Sequence, residues 1–260
     1  TVLLTDDGTT ISVDQIRNNV MLSQATGGDD VIVGTSGGTE TIQGGTGNDL
    51  IIAGLSNETY LYARGDGDDR IVTANSLNSS SYVLKLVDYN VGDIASVSRA
   101  HAGNEDLVLT FKDSADRITV TTGVGAPDWW RQLNLKVQFA DGTKWGRDTL
   151  RQRVVQSAVA SGNEVVDGRF ANAYAPNASM VFEAQAGNDT MIGGGNADTF
   201  KLARGDGHDV VDESDASGLG GNTIVFDGQP RVHNTDVPGF VRAWRAHGLP
   251  APRSAAVLGN

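Results

Sequence analysis

Acidic side chains recur every nine to eleven residues through two stretches of this chain, each acid set in a Gly-rich turn. Asp30, Glu40, Asp49, Glu58 and Asp69 mark the first stretch; Glu164 opens the second, and Asp189, Asp198 and Asp209 follow. Carboxylates placed beside turn carbonyls form a flexible set of hard oxygen donors. Such a set suits Ca²⁺, which takes about six to eight oxygens, better than Mg²⁺, which demands tighter octahedral geometry and keeps its waters. Transition metals would want His or Cys. The chain has no Cys, and only His208 falls in one of these turns. The lack of Cys also excludes a disulfide framework, a thiolate zinc site and a Cys nucleophile.

The elements that must position these acids follow from the same spacing. Gly44-Gly45-Thr46-Gly47-Asn48-Asp49-Leu50-Ile51-Ile52 reads as a nonad, G-G-x-G-x-D-x-U-x with U apolar. The apolar positions Ile32, Ile42, Ile51, Tyr60 and Ile71, then Met191, Phe200 and Val211, stay in phase two residues after the acids. Six Gly-rich residues make a turn, because Gly tolerates positive φ and close backbone approach. The last three make a short strand with one inward side chain. Turn, strand, turn, strand closes one coil of a parallel helix, so each turn stacks on the turn two nonads earlier.

A longer repeat encloses the nonads. Val2–Ile11 aligns with Lys136–Trp145 at an offset of 134, which also carries Ile16 onto Leu150 and Val20 onto Val154. After an insertion near Phe170–Ala178 the offset becomes 140, and Tyr60–Gly67 matches Phe200–Gly207. The chain reads as nearly two copies of one unit, an excerpt from a longer array or the tail of one.

The nonads resemble the RTX, or haemolysin-type, calcium-binding repeat, whose signature is among the known repeat periods. The stretch Tyr82–Leu150, through Leu86–Ile94, Asn104–Leu109 and Val137–Trp145, resembles the haemolysin-type calcium-binding-related module found between RTX blocks. The resemblance implies a mainly β protein: two short parallel β-rolls separated by a small β-rich module with a short capping helix, exported by type I secretion machinery and loaded with several Ca²⁺ ions outside the cell. The expected segments are the end of a preceding module with its capping helix (1–24), roll 1 (25–75), the intervening module with its helix (76–158), roll 2 (159–229) and a tail (230–260) read as a candidate secretion signal.

With turns paired two apart, the best ion sites lie between Asp49 and Asp69 and between Asp189 and Asp209; Asp30 with Asp49 comes next. Glu40 with Glu58 is weaker, because a longer side chain must refit a turn sized for Asp. Turn oxygens come from Gly44, Thr46 and Gly47 in roll 1, and from Ala184, Gly187, Gly193, Gly195 and the Asp198 turn in roll 2. Gly65-Asp66-Gly67 and Gly205-Asp206-Gly207 read as closing turns, with Asp66 and Asp206 as additional ligands.

The remaining chemistry is sparse. The chain of 260 residues carries a net charge of −12, which argues against a nucleic-acid partner. The charge is confined: residues 25–75 hold eight acids against two bases, and 159–215 hold ten against three. No apolar run is long enough to span a membrane, and Thr1–Asp7 does not read as a secretory signal peptide. Gly34-Thr35-Ser36-Gly37-Gly38 fits the G-x-S-x-G pattern but falls in a repeat turn, without the strand-to-helix context that a nucleophile needs. No EF-hand loop is present. Segments at Tyr82–Val87, Ala95–His101, Leu107–Phe111, Arg117–Thr121 and Leu133–Phe139 read as strands. Asp148–Val159 and Asp14–Leu22 read as amphipathic helices covering the first coil of each roll.

The expected function is therefore binding, not catalysis: a calcium-binding segment of a large secreted or cell-surface protein of adhesin or toxin type. The alternatives are the C-terminal export and folding domain of a secreted hydrolase, or a ligand-binding module that meets an extracellular glycan or protein through Trp129 and Trp130.

Overall fold

The computed structural model describes residues 2–4, 6, 8, 10–35, 38–54, 57–73, 81–99, 106–122, 134–158, 162–168, 179–193, 197–212, 221–226, 229–234 and 240–243. Trp129, Trp130, Gly195 and the Phe170–Ala178 insertion lie outside the described residues. The chain falls into two compact units, Thr1–Leu150 and Arg151–Asn260. Among the described residues, no helix is long and apolar enough to cross a membrane.

The first unit opens with the antiparallel pair β1 (Val2–Leu4) and β2 (Thr10–Ser12), followed by α1 (Val13–Leu22). Ser12 starts the helix through a capping box: its hydroxyl accepts from the Gln15 N–H at 3.1 Å, and the Gln15 side chain accepts from the Ser12 N–H at 2.8 Å. The coils of roll 1 follow as β3 (Val31–Val33), β4 (Thr39–Gln43), β5 (Leu50–Ile52), β6 (Asn57–Tyr62), β7 (Asp68–Thr73) and β8 (Ser81–Leu86). Alternate strands pair in parallel, so Ile32, Ile51 and Ile71 stack on one side and Ile42, Tyr60 and Leu84 on the other. All six are buried, as the in-phase apolar position requires.

Strands β9 (Ile94–Arg99), β10 (Leu107–Phe111), β11 (Arg117–Thr122) and β12 (Asn134–Gln138) lie within two residues of where alternation places the segments between the windows, and the short β13 (Lys144–Trp145) follows them. They extend the two sheets of the roll. Strand β11 pairs in parallel with β7, and β12 with β8, giving the orders β3-β5-β7-β11-β10-β9 and β13-β12-β8-β6-β4. Antiparallel β10 and β9 finish one sheet, and β13 finishes the other. The last coil of the roll is thus paired on its far side, and β9 and β13 become the far edges of the two sheets.

Helix α2 (Arg147–Ala158) leads into the second unit. There β14 (Val165–Asp167), β16 (Thr190–Ile192) and β18 (Asp209–Asp212) form one parallel stack, and β15 (Val181–Glu183), β17 (Thr199–Leu202) and β19 (Asn222–Phe226) the other. The interior is again in register: Val166, Met191 and Val211 face Phe182, Phe200 and Ile224, with the Phe182 and Phe200 rings stacked at 4.8 Å. Part of what the sequence suggests as a tail is built into this roll. Strands β20 (Gln229–Asn234) and β21 (Phe240–Ala243) close the two sheets, antiparallel to β19 and β18.

The helices meet the first coils mainly through amide side chains. Asn18 Oδ1 lies 3.5 Å from the Thr41 N–H on the edge strand β4, and Gln24 Oε1 accepts from the Val33 N–H at 3.0 Å. Gln152, which matches Asn18 at the offset of 134, bonds both the N–H and the carbonyl of Val181 at 3.0 and 2.8 Å. The expected apolar face of α1 is corrected: Ile16 and Val20 are exposed and Met21 is buried, whereas Leu150, Val154 and Val155 of α2 are all buried. Edge strands carry unpaired backbone groups, and an amide that both donates and accepts satisfies them directly.

Candidate metal centre

The acids on one side of each roll form a ladder. The Asp30 N–H donates to Asp49 Oδ1, and the Asp49 N–H to Asp69 Oδ1, each at 2.9 Å. In roll 2 the Glu164 N–H donates to Asp189 Oδ1 at 3.0 Å, and the Asp189 N–H to Asp209 Oδ1 at 3.1 Å. Each carboxylate is therefore pinned by one oxygen to the coil before it. The other oxygen decides the chemistry. Oδ2 of Asp49 and of Asp189 is buried with no hydrogen-bond partner, on side chains that are 2% and 1% exposed. Glu164 Oε2 shares that state on a half-buried residue.

A buried carboxylate oxygen without a donor costs several kcal/mol unless a proton or a cation meets it. Burial accordingly raises the Asp49 carboxyl above its ordinary range although the Asp30 N–H opposes the shift; it pushes Asp69 up to about 7 and raises Asp66 as well. The turn is shaped to leave Asp49 Oδ2 free: a Cβ added at Gly44 would sit 2.0 Å from it. Close approach also dictates glycine between coils. Gly67 and Gly207 hold φ of +104° and +126°, and a Cβ on them would lie 2.1 and 1.6 Å from the carbonyls of Gly47 and Gly187. Among the described residues, no three acids or histidines converge into a cage of side chains alone. Any ion held here must draw on turn carbonyls as well as on carboxylates.

Beside this ladder runs a second one that the nonad reading missed. The Asn48 N–H donates to Asp29 Oδ1 at 2.7 Å, and the Asp68 N–H to Asn48 Oδ1 at 3.0 Å. In roll 2 the Asn188 N–H donates to Asn163 Oδ1 at 2.7 Å, and the His208 N–H to Asn188 Oδ1 at 2.9 Å. Here the later coil donates to the earlier one, opposite to the acid ladder. The signal was present as Asp or Asn directly before five of the six ladder acids, Asp29-Asp30, Asn48-Asp49, Asp68-Asp69, Asn163-Glu164 and Asn188-Asp189, with His208 before Asp209. In roll 1 the Asp68 carboxylate is gripped by Arg117 through Nε at 2.9 Å and through Nη2.

The other candidates divide. Asp66 and Asp206 each accept a hydrogen bond within their own turn, from the Ala63 N–H at 2.7 Å and from the Ala203 N–H. The roll 1 closing turn is also tied to the strands beyond it. The Arg64 N–H donates to Asp88 at 3.0 Å, the Gly65 N–H to Asp116 at 2.7 Å, and the Tyr89 hydroxyl to the same Asp116 oxygen at 2.6 Å. Burial opposes the Asp116 charge, yet the Tyr89, Gly65 and Ser114 donors hold its carboxyl below the usual range. Thr46 Oγ1 bonds the Gly27 carbonyl across coils at 3.2 Å. Gly47 and Gly187 donate to the carbonyls of Asp66 and Asp206, and Gly193 to that of Asp212. Ala184 bonds the Lys201 carbonyl on the opposite side of roll 2, away from the acid ladder. On that side the Met180 N–H donates to Asp198 Oδ1 at 2.8 Å, and the Asp198 N–H to Asn222 Oδ1 at 2.8 Å.

Glu40 and Glu58 are directly paired on β4 and β6 and fully buried, yet neither joins a ladder. Glu40 accepts from the Thr35 N–H at 2.9 Å and from the Thr35 hydroxyl. Glu58 accepts from the Gly54 N–H at 2.6 Å and from the Tyr60 hydroxyl, and burial pushes its carboxyl up to about 7.

The RTX calcium-binding nonapeptide repeat, in four copies, matches residues 35–68 and 181–211, the stretches that form the coils. The rolls are RTX repeats. The haemolysin-type calcium binding protein related domain matches residues 106–149, the strands that extend the sheets of the first RTX roll. RTX repeats bind Ca²⁺, and the orphaned oxygens of Asp49 and Asp189 fit a hard cation. Among solved structures, the extracellular lipase LipA from Serratia marcescens is similar at 18% identity, with a TM-score of 0.18 and coverage of 77% of this chain. This chain spans about a third, 32%, of that lipase's length. No curated protein matches the chain.

Proposed function

We infer that this chain is a calcium-triggered folding segment of an exported protein, acting by binding and not by catalysis. The observation that carries this reading is the pair of buried, partnerless oxygens on Asp49 and Asp189. In roll 1, Asp30, Asp49 and Asp69 with the turn at Gly44–Gly47 would hold ions. In roll 2, Glu164, Asp189 and Asp209 with the turn before Gly187 would do so. Asp66 and Asp206, which brace the closing turns through the Ala63 and Ala203 N–H groups, would be additional carboxylates for those ions.

Calcium, when bound, supplies positive charge between stacked carboxylates. The chain supplies the rest. The N–H of each earlier coil aims a carboxylate of the next, Gly67 and Gly207 let the backbones touch, and the inward apolar column zips behind them. Without the ion, carboxylates in register along the Asp ladders repel one another, and Gly-rich turns disfavour closure of that edge. With it, stability grows with the ratio of free ion to dissociation constant. RTX proteins are typically secreted by type I systems; a chain that stays open where calcium is scarce and closes where it is abundant suits that route.

Far-UV circular dichroism during a Ca²⁺ titration from chelator, with Mg²⁺ alongside, tests the reading. A cooperative gain of β signal with Ca²⁺ alone, weakened by Asp189→Ala or Asp209→Ala, is expected. Full β signal in chelator would overturn the trigger.

A further inference from the structure

The sequence ranks Glu40 with Glu58 as the weaker ion site, and the structure builds the Glu-bearing side of roll 1 differently from the Asp ladder. We propose that Glu40 and Glu58 are calcium-independent clasps, so that roll 1 closes on their side without an ion and binds ions only along Asp30, Asp49 and Asp69. The proposal rests on the reading of the Asp ladder as the ion-binding edge and assigns the opposite edge a different task.

The donors each carboxylate meets set the difference. On the ladder sides, Asp49, Asp69, Asp189 and Asp209 each accept the N–H of the neighbouring coil, while Asp30 in the first coil accepts from Thr26 in its own turn. One oxygen then remains for a cation, as at Asp49 and Asp189. Asp198, on the side of roll 2 that matches the Glu side, also accepts from the neighbouring coil, at the Met180 N–H. Glu is one methylene longer and folds back five residues to Thr35 or four residues to Gly54. All four carboxylate oxygens of Glu40 and Glu58 accept hydrogen bonds from their own turn or strand.

Two further features disfavour an ion. The Thr35 N–H, Gly54 N–H and Tyr60 O–H point their positive ends at the oxygens a cation would need. The column also lacks a third carboxylate. The position in register with Glu58 on β8 is Tyr82, fully buried, whose hydroxyl has no partner. A phenol and two satisfied carboxyls make a poor ligand set for Ca²⁺. They make a good internal seam once one carboxyl keeps its proton.

Native mass spectrometry of the whole chain in calcium, with thermal melts in chelator, tests the proposal. The double variant Glu40→Gln, Glu58→Gln is expected to keep the wild-type ion count, and Asp49→Asn to lose at least one ion. In chelator, Glu58→Ala is expected to lower the melting temperature by several degrees, while Asp49→Asn leaves it unchanged or raises it. A lower ion count in the double Gln variant, or an unchanged chelator melt for Glu58→Ala, overturns the clasp. Full ion counts in both Asp49→Asn and Asp189→Asn would instead sink the ladder assignment, and the chelator melt would still judge the clasp by itself.

Discussion

The two rolls share a closing turn, Ala-Arg-Gly-Asp-Gly at 63–67 and 203–207, but not the structure that holds it. In roll 1 the turn is received by Asp88 and Asp116, and the Tyr62 hydroxyl donates to the Gly67 carbonyl with the Arg117 carbonyl 3.3 Å away. Arg64 completes the hold, with an ion pair to Asp93 at 2.9 Å and its guanidinium 4.4 Å above the Tyr89 ring. At the matching places roll 2 has Leu202 for Tyr62, His208 for Asp68 and Gly228 for Asp88. Identical turn sequences can therefore differ in what they need. Roll 1 has protein donors and acceptors to set its last turn before an ion arrives; roll 2 carries neither the Tyr62 hydroxyl nor the Asp88 carboxylate at the matching positions.

The largest effect should come from forcing the coils apart. Gly207→Ala places a methyl 1.6 Å from the Gly187 carbonyl at a φ of +126°, and Gly67→Ala does the same to Gly47 at 2.1 Å. Each change should cost roughly 3 kcal/mol or more through backbone strain and displaced coils. If the comparison holds, Gly207→Ala abolishes calcium-induced protection of β16 and β18 amides in hydrogen exchange while β5 and β7 stay protected. Loss of protection in both rolls would show that they fold as one.

Calcium removal should separate the rolls next. In chelator, amides of Thr190–Ile192 and Thr199–Leu202 are expected to exchange well before those of Leu50–Ile52 and Asp68–Thr73. Equal rates would remove the distinction between the two closing turns. Asp116→Ala sharpens the same point. It strips the acceptor from the Gly65 N–H and the Tyr89 hydroxyl, and leaving such groups unpaired costs about 1–3 kcal/mol. The variant should bring roll 1 exchange in chelator toward that of roll 2 and leave roll 2 unchanged.

How much of this was legible in the sequence depends on the range of the interaction. The nonad register, the inward column from Ile32 to Ile71 and the pairing of Asp49 with Asp69 follow from a local period, because turn and strand have fixed lengths. The strands between the windows were readable from alternation, but their parallel addition to β7 and β8 was not, since periodicity carries no information on the distant partner. The same holds for Asp116, whose value lies in reaching Gly65 from 51 residues away. Glu40 and Glu58 show a subtler limit. Their register was readable, but the direction of each carboxyl depended on donors at Thr35, Gly54 and Tyr60.

The smallest effect is a pH dependence confined to the calcium-free state, and its sign follows from the raised carboxyls of roll 1. Burial pushes Glu58 from 4.5 to about 7 and Asp69 from 3.8 to about 7. Below the ordinary values both folded and unfolded chains hold these protons, and stability does not change with pH on their account. Between the ordinary values and about 7 the folded roll keeps protons that the unfolded chain has released. Stability therefore falls as pH rises through that window and levels off above it. Calcium-free protein should melt at a higher temperature at pH 5 than at pH 7.5, and Glu58→Gln should flatten part of that slope. Saturating calcium should reverse the Asp69 contribution, because a cation favours the anion. A calcium-free melt that is higher at pH 7.5 would mean that both carboxyls are met by partners other than protons, and the contrast between the Asp and Glu sides would lose its electrostatic basis.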